Sequence, residues 1–278
     1  MNKWPKITIV TPSYNQADFL ERTIQSVLKQ DYPNMEYIII DGGSTDGSVN
    51  IINKYANKLA YWVSEEDDGQ ADAINKGFRR ATGDIVAWLN SDDEYCTGAL
   101  QVIAETFMKY PDVDLVFGNR ITVDENGRVL RDDRHTRFAF TTLVVLGMVL
   151  SQPASFWKRQ LFAKFGYLDE SQTFCMDYEF FCRISAHIKA KHIRRNLAKF
   201  RRHSSSKTCT IMDLARREHK AIRNNYLKQA CRGWPRPLVV FAIHAYRAFW
   251  YTIQGDGLYV LRGIIRRLLP KRLTPTWL

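Results

Sequence analysis

The sequence predicts an α/β fold, in which helices flank a mostly parallel sheet and a basic amphipathic helical extension follows. Over the first 118 residues, short apolar runs typical of strands alternate with segments of helical spacing. Such alternation implies right-handed crossovers and a sheet that is covered on both faces. The 278 residues can bury a large core, as one domain or as one domain with an appendage.

The predicted elements of this first part follow in a regular order. Segment 7–11 is rich in β-branched residues, and segment 18–29 places Phe19, Ile24 and Val27 on one helical face. The remaining strands are predicted over 37–40, 59–63, 85–89 and 113–117, and the helices through Ile51 to Tyr55, over 70–80 and over 99–109.

The pattern loosens after residue 118. The stretch "VDENGRVL" predicts a hairpin with Asn126-Gly127 at its turn. Further helices are predicted over 158–165, 177–188 and 212–228, and a strand over 197–203. From Trp234 the chain is amphipathic, but its apolar runs fall short of the roughly 20 residues that a spanning helix needs. We therefore expect a main domain over 1–210, made of two parts that meet near residue 118, and a helical extension over 211–278.

Charge is unevenly distributed along the chain. The net charge is +11, yet residues 1–182 carry 18 Lys and Arg against 26 Asp and Glu, and residues 183–278 carry 22 against 3. A basic C-terminal part favours a polyanionic surface as partner, with membrane headgroups preferred over nucleic acid because no nucleic-acid module accompanies the charge.

The cysteines and the N-terminus indicate a cytoplasmic protein. Five cysteines form no CxxC pair and leave an odd count, which reduced thiols explain more simply than disulfides. The stretch "MNKWPKITIV" has no apolar run long enough for a signal peptide, so we do not expect export.

Two adjacent carboxylates, Asp92 and Asp93, directly follow the apolar run 85–89. They would repel each other without a nearby positive charge, and Mg²⁺ or Mn²⁺ prefers such oxygen ligands. The alternative is that they are ordinary loop residues or a helix cap. Zinc is not expected, because the histidines have no ligand spacing with cysteine.

Polar residues follow four of the predicted strands. The carboxyl ends of parallel strands share one edge of a sheet, where ligands of such folds bind. The segments concerned are 11–15, 41–43, 65–68 and 90–93. The glycine-rich turn "DGGSTDGS" is neither a dinucleotide fingerprint nor a P-loop, so a dehydrogenase or NTPase is not favoured.

Three stretches resemble glycosyltransferase family two: "ITIVTPSYNQADFLERTIQSVLKQDYPNMEYIIIDGGSTDGS", "SEEDDGQADAINKGFRRATGDIVAWLNSDDEY" and "MDYEFFCRI". The resemblance covers roughly residues 5–210. It implies a GT-A fold and an inverting enzyme that uses a nucleotide sugar. It also implies that 1–118 is the nucleotide-binding part and 119–210 the acceptor-binding part.

The resemblance implies a role for individual residues. The donor would contact Thr11, Pro12, Tyr14, Asn15, Asp41, Asp68, Asp72, Asn75, Lys76, Ser91 and Asp92. Ser91-Asp92-Asp93 matches the DXD signature, with Asp93 as principal metal ligand. His203 would lie near the diphosphate as a second ligand, although a surface histidine in a basic strand is the alternative. Many relatives have Asp-Asp-Gly-Ser where this chain has Asp41-Gly42-Gly43-Ser44.

Two further roles concern the acceptor. Asp177 matches the general base, with Glu179 as a weaker candidate, and the alternative for Asp177 is a helix N-cap. An inverting transfer needs such a carboxylate to take the proton of the acceptor hydroxyl. Gln152 matches a position near the acceptor, although it could instead satisfy a loop backbone. Trp88 and Trp157 are interpreted as core residues rather than sugar platforms.

The predicted function is a metal-dependent glycosyltransferase, with a UDP-sugar as favoured donor and a lipid-linked or oligosaccharide acceptor in cell-envelope glycan synthesis. We expect it at the inner face of a membrane as a peripheral protein, with oligomerisation left open. Two alternatives are a sugar-nucleotide nucleotidyltransferase, whose glycine-rich N-terminal loop is missing from "TPSYNQADFLER", and a non-catalytic scaffold of the same fold.

Overall fold

The structure is a computed structural model that describes residues 4–257 and 259. Within this part of the chain, nine strands form one sheet. The strands are β1 Ile7–Ser13, β2 Met35–Asp41, β3 Tyr61–Ser64, β4 Ile85–Trp88, β5 Glu94–Tyr95, β6 Leu115–Val123, β7 Val129–Asp133, β8 Ser155–Lys158 and β9 Ala190–Arg201. The α-helices are α1 Ala17–Leu28, α2 Ser48–Tyr55, α3 Gln70–Arg80, α4 Ala99–Lys109, α5 Phe140–Leu146, α6 Leu161–Phe165, α7 Met176–Ser185, α8 Lys207–Thr210, α9 Met212–Cys231 and α10 Arg236–Ile253.

The order of the sheet is β3-β2-β1-β4-β8-β6-β9-β5, and β7 pairs with β6. β1 is parallel to β2 and β4, β2 to β3, and β6 to β9. β8 lies antiparallel between β4 and β6, so β6 runs in the same direction as β4. The predicted mostly parallel sheet is confirmed, and the carboxyl ends of β1 to β4, β6 and β9 share one edge.

The sheet has a hydrophobic core on each face, because alternate residues of its strands point to opposite sides. Val10 and Ile9 illustrate this alternation, since each is fully buried in a different core cluster. The cluster around Val10 includes both Trp88 and Trp157, so their interpretation as core residues is confirmed.

Several predicted elements need correction after residue 118. The helix predicted over 158–165 begins only at Leu161, because Ser155–Lys158 forms β8 and inserts between β4 and β6. The strand predicted over 197–203 begins at Ala190, and the one over 113–117 extends to Val123. The hairpin around Asn126-Gly127 is confirmed, with Gly127 at a φ of +88°.

The predicted basic helix of the extension is confirmed as α9, and it packs on the body. Ile222 and Ala230 of α9 and Ile243 of α10 are buried in the same cluster as Trp157. In the described part of the chain, no helix is both long and apolar enough to cross a membrane. The second amphipathic run, over 258–273, lies outside the described residues apart from position 259. The division at residue 210 stays a prediction.

Candidate active site

The loops after β1 and β2 meet at the shared edge of the sheet. Asn15, at a φ of +50°, donates its backbone N–H to Ser44 Oγ at 2.8 Å. Thr11 and Pro12 are buried within β1, whereas the ring of Tyr14 is 62% exposed. The structure therefore brings Tyr14 and Asn15 to the open edge, and it places Thr11 and Pro12 beneath it.

Asp41 ends β2 as a fully buried carboxylate. It accepts hydrogen bonds from the Ser44 N–H at 2.9 Å, from Ser44 Oγ at 2.6 Å and from Ser64 Oγ at 2.7 Å, so its orientation is fixed. A side chain at Gly42 would meet the carboxylate of Asp67. An acidic residue at this position would therefore place two negative charges in contact.

The loop before α3 brings further carboxylates to the same edge. Asp72 accepts the Asp68 N–H at 3.2 Å, and Lys76 Nζ lies 3.2 Å from Asp72 and 3.4 Å from Glu65. Burial lowers the pKa of Lys76, but hydrogen bonds and attraction from these two carboxylates raise it overall. Lys76 is therefore a fixed cation beside the predicted donor site.

Two predicted site residues have side chains that bind backbone groups. Asn75 donates to the Leu168 carbonyl at 2.9 Å and to Glu170 at 2.8 Å, and it accepts the Leu168 N–H at 3.0 Å. Gln152 donates to the carbonyl of Trp88 at 2.8 Å, at the end of β4. This geometry corresponds to the backbone-satisfying alternative for Gln152, and its acceptor-binding role stays a prediction.

Asp93 is fully buried just beyond β4. Its Oδ1 accepts the backbone N–H of Arg201 at 2.9 Å, while its Oδ2 has no hydrogen-bond partner among the described residues. Burial and the adjacent Asp92 carboxylate raise the pKa of Asp93 well above its ordinary value. Thr23 Oγ1 fixes the turn by donating to the carbonyls of Ser91 at 2.8 Å and Asp93 at 2.7 Å.

His203 lies against Asp92. The His203 Nε2 is 3.1 Å from Asp92 Oδ2, its Nδ1 is 2.8 Å from Ser205 Oγ, and its ring centroid is 4.4 Å from that of Phe19. His203 is only 6% exposed, so the alternative of a surface histidine is wrong. Over residues 4–257 and 259, no group of three or more His, Cys, Asp or Glu side chains is placed to hold a metal ion.

Arg201 is a site residue that the sequence analysis did not identify. Its side chain is 1% exposed, and its guanidinium donates to the carbonyls of Asp92, Asp124 and Glu125, each at 3.0 Å. It also forms an ion pair with Glu94. Arg201 thus joins the end of β9 to the Asp92-Asp93 turn and to the β6–β7 hairpin. The basic stretch "KFRRH" gave no sign of which arginine is buried.

Asp177 lies in the first turn of α7 and accepts the N–H of Tyr178 at 2.7 Å. Burial raises the pKa of Asp177 from 3.8 to about 6, although the backbone hydrogen bond and the positive charge of Arg120 oppose this. Arg120 also lowers the pKa of Asp93, so it acts on both carboxylates and is a second residue that the sequence analysis missed. Glu179 is paired with Arg183 at 2.7 Å, which does not suit a free base.

A family model described as "Glycosyl transferase family 2" matches residues 8–190. The chain belongs to glycosyl transferase family 2. The match contains the strand ends, the Asp92-Asp93 turn and Asp177, and it confirms the resemblance found in the sequence. Arg201 and His203 lie beyond the matched range.

A curated relative is TuaG of Bacillus subtilis (strain 168), a glycosyltransferase named for teichuronic acid biosynthesis. It is 40% identical over 113 residues, which are 39% of this chain and 45% of TuaG. The match therefore spans less than half of TuaG's length.

Two solved structures share the fold. TarS of S. aureus in complex with UDP-GlcNAc has a TM-score of 0.62 at 18% identity, over 84% of this chain and 74% of that one. The mannosyltransferase PcManGT of Pyrobaculum calidifontis, in complex with GDP-Man and Mn²⁺, has a TM-score of 0.58 at 18% identity, over 96% and 82%. The predicted GT-A fold is confirmed.

Proposed function

We propose that the protein is an inverting glycosyltransferase that moves a sugar from a nucleotide-sugar donor to an acceptor hydroxyl. The proposal rests on two carboxylates, Asp93 and Asp177, that lie in different environments. The positive charge of Arg120 lowers the pKa of both. Asp177 has a pKa of about 6, while Asp93 is fully buried with one oxygen unpaired within the described chain. Two separate carboxylates suit two separate tasks, proton removal and binding of a diphosphate through a cation.

Asp177 would act as the general base. With a pKa of about 6, it is ionised in about ten molecules for each protonated one at pH 7. It would take the proton of the acceptor hydroxyl while that oxygen forms a bond to the anomeric carbon. The bond from the anomeric carbon to the diphosphate breaks on the opposite face, so the configuration of the sugar inverts.

The residues around Asp93 fit a divalent cation such as Mg²⁺ or Mn²⁺. One oxygen of Asp93 is buried and unpaired among the described residues, and burial with the Asp92 charge raises the pKa of Asp93 despite Arg120 and Arg201, so a further cation would stabilise its ionised form. Asp93 would hold the ion, with Asp92 and His203 beside it, and donor phosphates and water would complete the ligands. When bound, the cation neutralises negative charge on the leaving diphosphate.

UDP-sugar is the favoured donor, and a cell-envelope glycan on a lipid or oligosaccharide is the proposed acceptor. TarS structures containing UDP and UDP-GlcNAc support the choice of nucleotide. The name of TuaG, with its link to teichuronic acid, supports the class of acceptor. The proposed donor contacts are those predicted from the sequence, among them Asp41, Asp68, Asp72 and Lys76.

An anionic membrane surface, at the inner face of a bacterial-type membrane, is the proposed partner of α10. One face of this helix is buried through Ile243 and Tyr251. The other face exposes large apolar side chains at helical spacing: Leu238, Phe241, Tyr246, Phe249 and Ile253. Residues 212–253 carry eight Lys and Arg against two Asp and Glu, which complements anionic headgroups.

The test is Asp177→Asn, measured as UDP release from UDP-sugars with a bacterial membrane lipid extract as acceptor. We expect turnover to fall by about 100-fold or more, because a general base contributes that much, while UDP affinity is retained. Unchanged turnover would contradict the assignment of the base. A wild-type protein that binds no nucleotide would instead favour the scaffold alternative.

A further inference from the structure

The helix that carries Asp177 receives its N-terminal cap from α9. Glu218 Oε1 accepts the backbone N–H of Thr173 at 2.9 Å, and its Oε2 accepts those of Phe174 at 2.9 Å and Cys175 at 2.8 Å. The side chain of Cys175, the capping residue of α7, does not cap the helix and instead donates from Sγ to the Ala215 carbonyl of α9 at 3.5 Å. One carboxylate, 43 to 45 residues further along the chain, therefore binds three consecutive N–H groups.

This arrangement stabilises the start of α7 for two physical reasons. The N–H of Cys175, at the capping position of α7, has no partner within the helix and needs an outside acceptor, while those of Thr173 and Phe174 belong to the segment that leads into the helix. A negative charge is also favourable at this end of the helix dipole, and hydrogen bonds to an ionised group are the stronger kind. Glu218 meets both needs, so the backbone that leads into Asp177 is held by several charge-assisted bonds.

α9 also contacts the residue that follows Asp177. The ring of His219 stacks on that of Tyr178, with centroids 4.3 Å apart and planes 12° apart. The N–H of Tyr178 is the group that binds Asp177 Oδ1. Neighbouring residues of α9 thus fix the chain before Asp177 through Glu218 and after it through His219.

We infer that Glu218, on α9, is a positioning residue for Asp177. This inference rests on the proposed role of Asp177 as base. Glu218 lies beyond residues 8–190, the range that the family model matches, so membership of the family does not supply this role. Without the Glu218 carboxylate, three N–H groups lose their acceptor, and the first turn of α7 shifts relative to the donor and acceptor.

The test compares Glu218→Gln with Asp213→Asn, which changes an exposed acidic residue of the same helix that is paired with Arg216 at 2.9 Å. Gln is nearly isosteric with Glu, but its amide group presents a donor to one of the three N–H groups. We expect kcat to fall about 10- to 100-fold, since misplacing a catalytic group by about 1 Å has such an effect. UDP affinity and the donor KM should stay within about twofold, and Asp213→Asn should behave as wild type.

A second readout is independent of turnover. Amide hydrogen exchange of residues 173–175 should accelerate in Glu218→Gln and stay slow in Asp213→Asn. Should Glu218→Gln fail to fold, Glu218→Asp keeps the charge on a shorter side chain, and it should give an intermediate kcat and intermediate exchange. Unchanged kcat and exchange in Glu218→Gln, with Asp177→Asn inactive, would overturn the inference alone. An active Asp177→Asn would overturn the proposed base, and the inference with it.

Discussion

The backbone N–H of Arg201 donates to Asp93 Oδ1 at 2.9 Å and leaves the other oxygen of this buried carboxylate unpaired in the described structure. The two residues are 108 positions apart, on β9 and on the turn after β4. The side chain of Arg201 binds the carbonyl of Asp92 in the same turn. The end of β9 therefore fixes the orientation of the carboxylate that we propose as metal ligand.

Arg201→Ala should destabilise the protein strongly. It removes a buried cation and the donor to the Asp92 carbonyl, and it leaves Glu94 with Lys199 alone. The carbonyls of Asp124 and Glu125 each lose one of two donors. The loss of this ion pair and of these hydrogen bonds should cost about 2 kcal/mol or more in the free energy of unfolding. Urea unfolding measures this, with the exposed neighbour Arg202→Ala as matched control, which should stay within about 0.5 kcal/mol of wild type. Equal effects of the two substitutions would contradict the role of Arg201.

The pH dependence of turnover should report Asp177. Because burial raises its pKa to about 6, kcat/KM should be constant above this pH and fall about tenfold per unit below it, as the base becomes protonated. A profile of UDP release against pH checks this. A fall of kcat/KM that begins only near pH 4, the range of an ordinary carboxylate, would contradict the assignment of Asp177 as the base.

Because its pKa is raised in the folded state, Asp177 destabilises the folded protein when it is ionised. A pKa raised from 3.8 to about 6 means that stability is highest while the group is protonated, and that it decreases as pH rises through this window. Asp177→Asn should therefore raise the free energy of unfolding at pH 8 by about 1 kcal/mol or more, and by little near pH 3. Urea unfolding at the two pH values provides the measurement. A lower free energy of unfolding for Asp177→Asn than for wild type at pH 8 would refute the prediction.

Glu36 should contribute stability that depends on pH in the opposite sense. Burial alone would raise the pKa of Glu36, but hydrogen bonds from Lys6, Thr8 and Thr82 lower it from 4.5 to about 2. Its contribution is present above pH 4.5 and is lost as pH falls towards 2. Glu36→Gln should cost about 2 kcal/mol at pH 7 and less at pH 3. A cost independent of pH would show that packing, not charge, is responsible.

The exposed face of α10 should bind anionic vesicles. Phe241→Ser with Phe249→Ser removes two of its largest exposed side chains, 75% and 58% exposed. We expect co-sedimentation with phosphatidylcholine–phosphatidylglycerol vesicles to be lost, because apolar insertion and headgroup attraction act together. The control is Val129→Ser with Leu130→Ser, which removes exposed apolar side chains from β7. Wild-type protein that does not co-sediment with these vesicles, but self-associates through Phe241, would contradict the membrane proposal.

The N-terminal half of the fold was predictable because each segment has its own hydrophobic period. α3 and α4 have the predicted limits of 70–80 and 99–109, and β1 starts at the predicted Ile7. β8 was missed because its four residues include only two apolar side chains, which do not distinguish strand from helix, and because its partners β4 and β6 are distant in sequence.

The acidic part of the candidate site was predictable for a geometric reason. Parallel strands bring their carboxyl ends to one edge, so the strand pattern alone assigned Asp41, Asp92 and Asp93 to the same edge of the sheet. Arg201 and Glu218 could not be found, because most of their partners are backbone groups of distant segments. A backbone carbonyl or N–H leaves no residue pattern that would identify its side-chain partner.

Calorimetric titration of UDP tests the central claim most directly. The titration is made with Mn²⁺ and then with EDTA, on wild type and on Asp93→Asn. We predict that UDP binds wild type with Mn²⁺, and that EDTA or Asp93→Asn weakens binding by tenfold or more, because Asp93 would hold a cation that neutralises the charge of the diphosphate. Folded wild-type protein that binds no UDP, GDP or dTDP with Mn²⁺, or that binds UDP equally well in EDTA, would contradict the account.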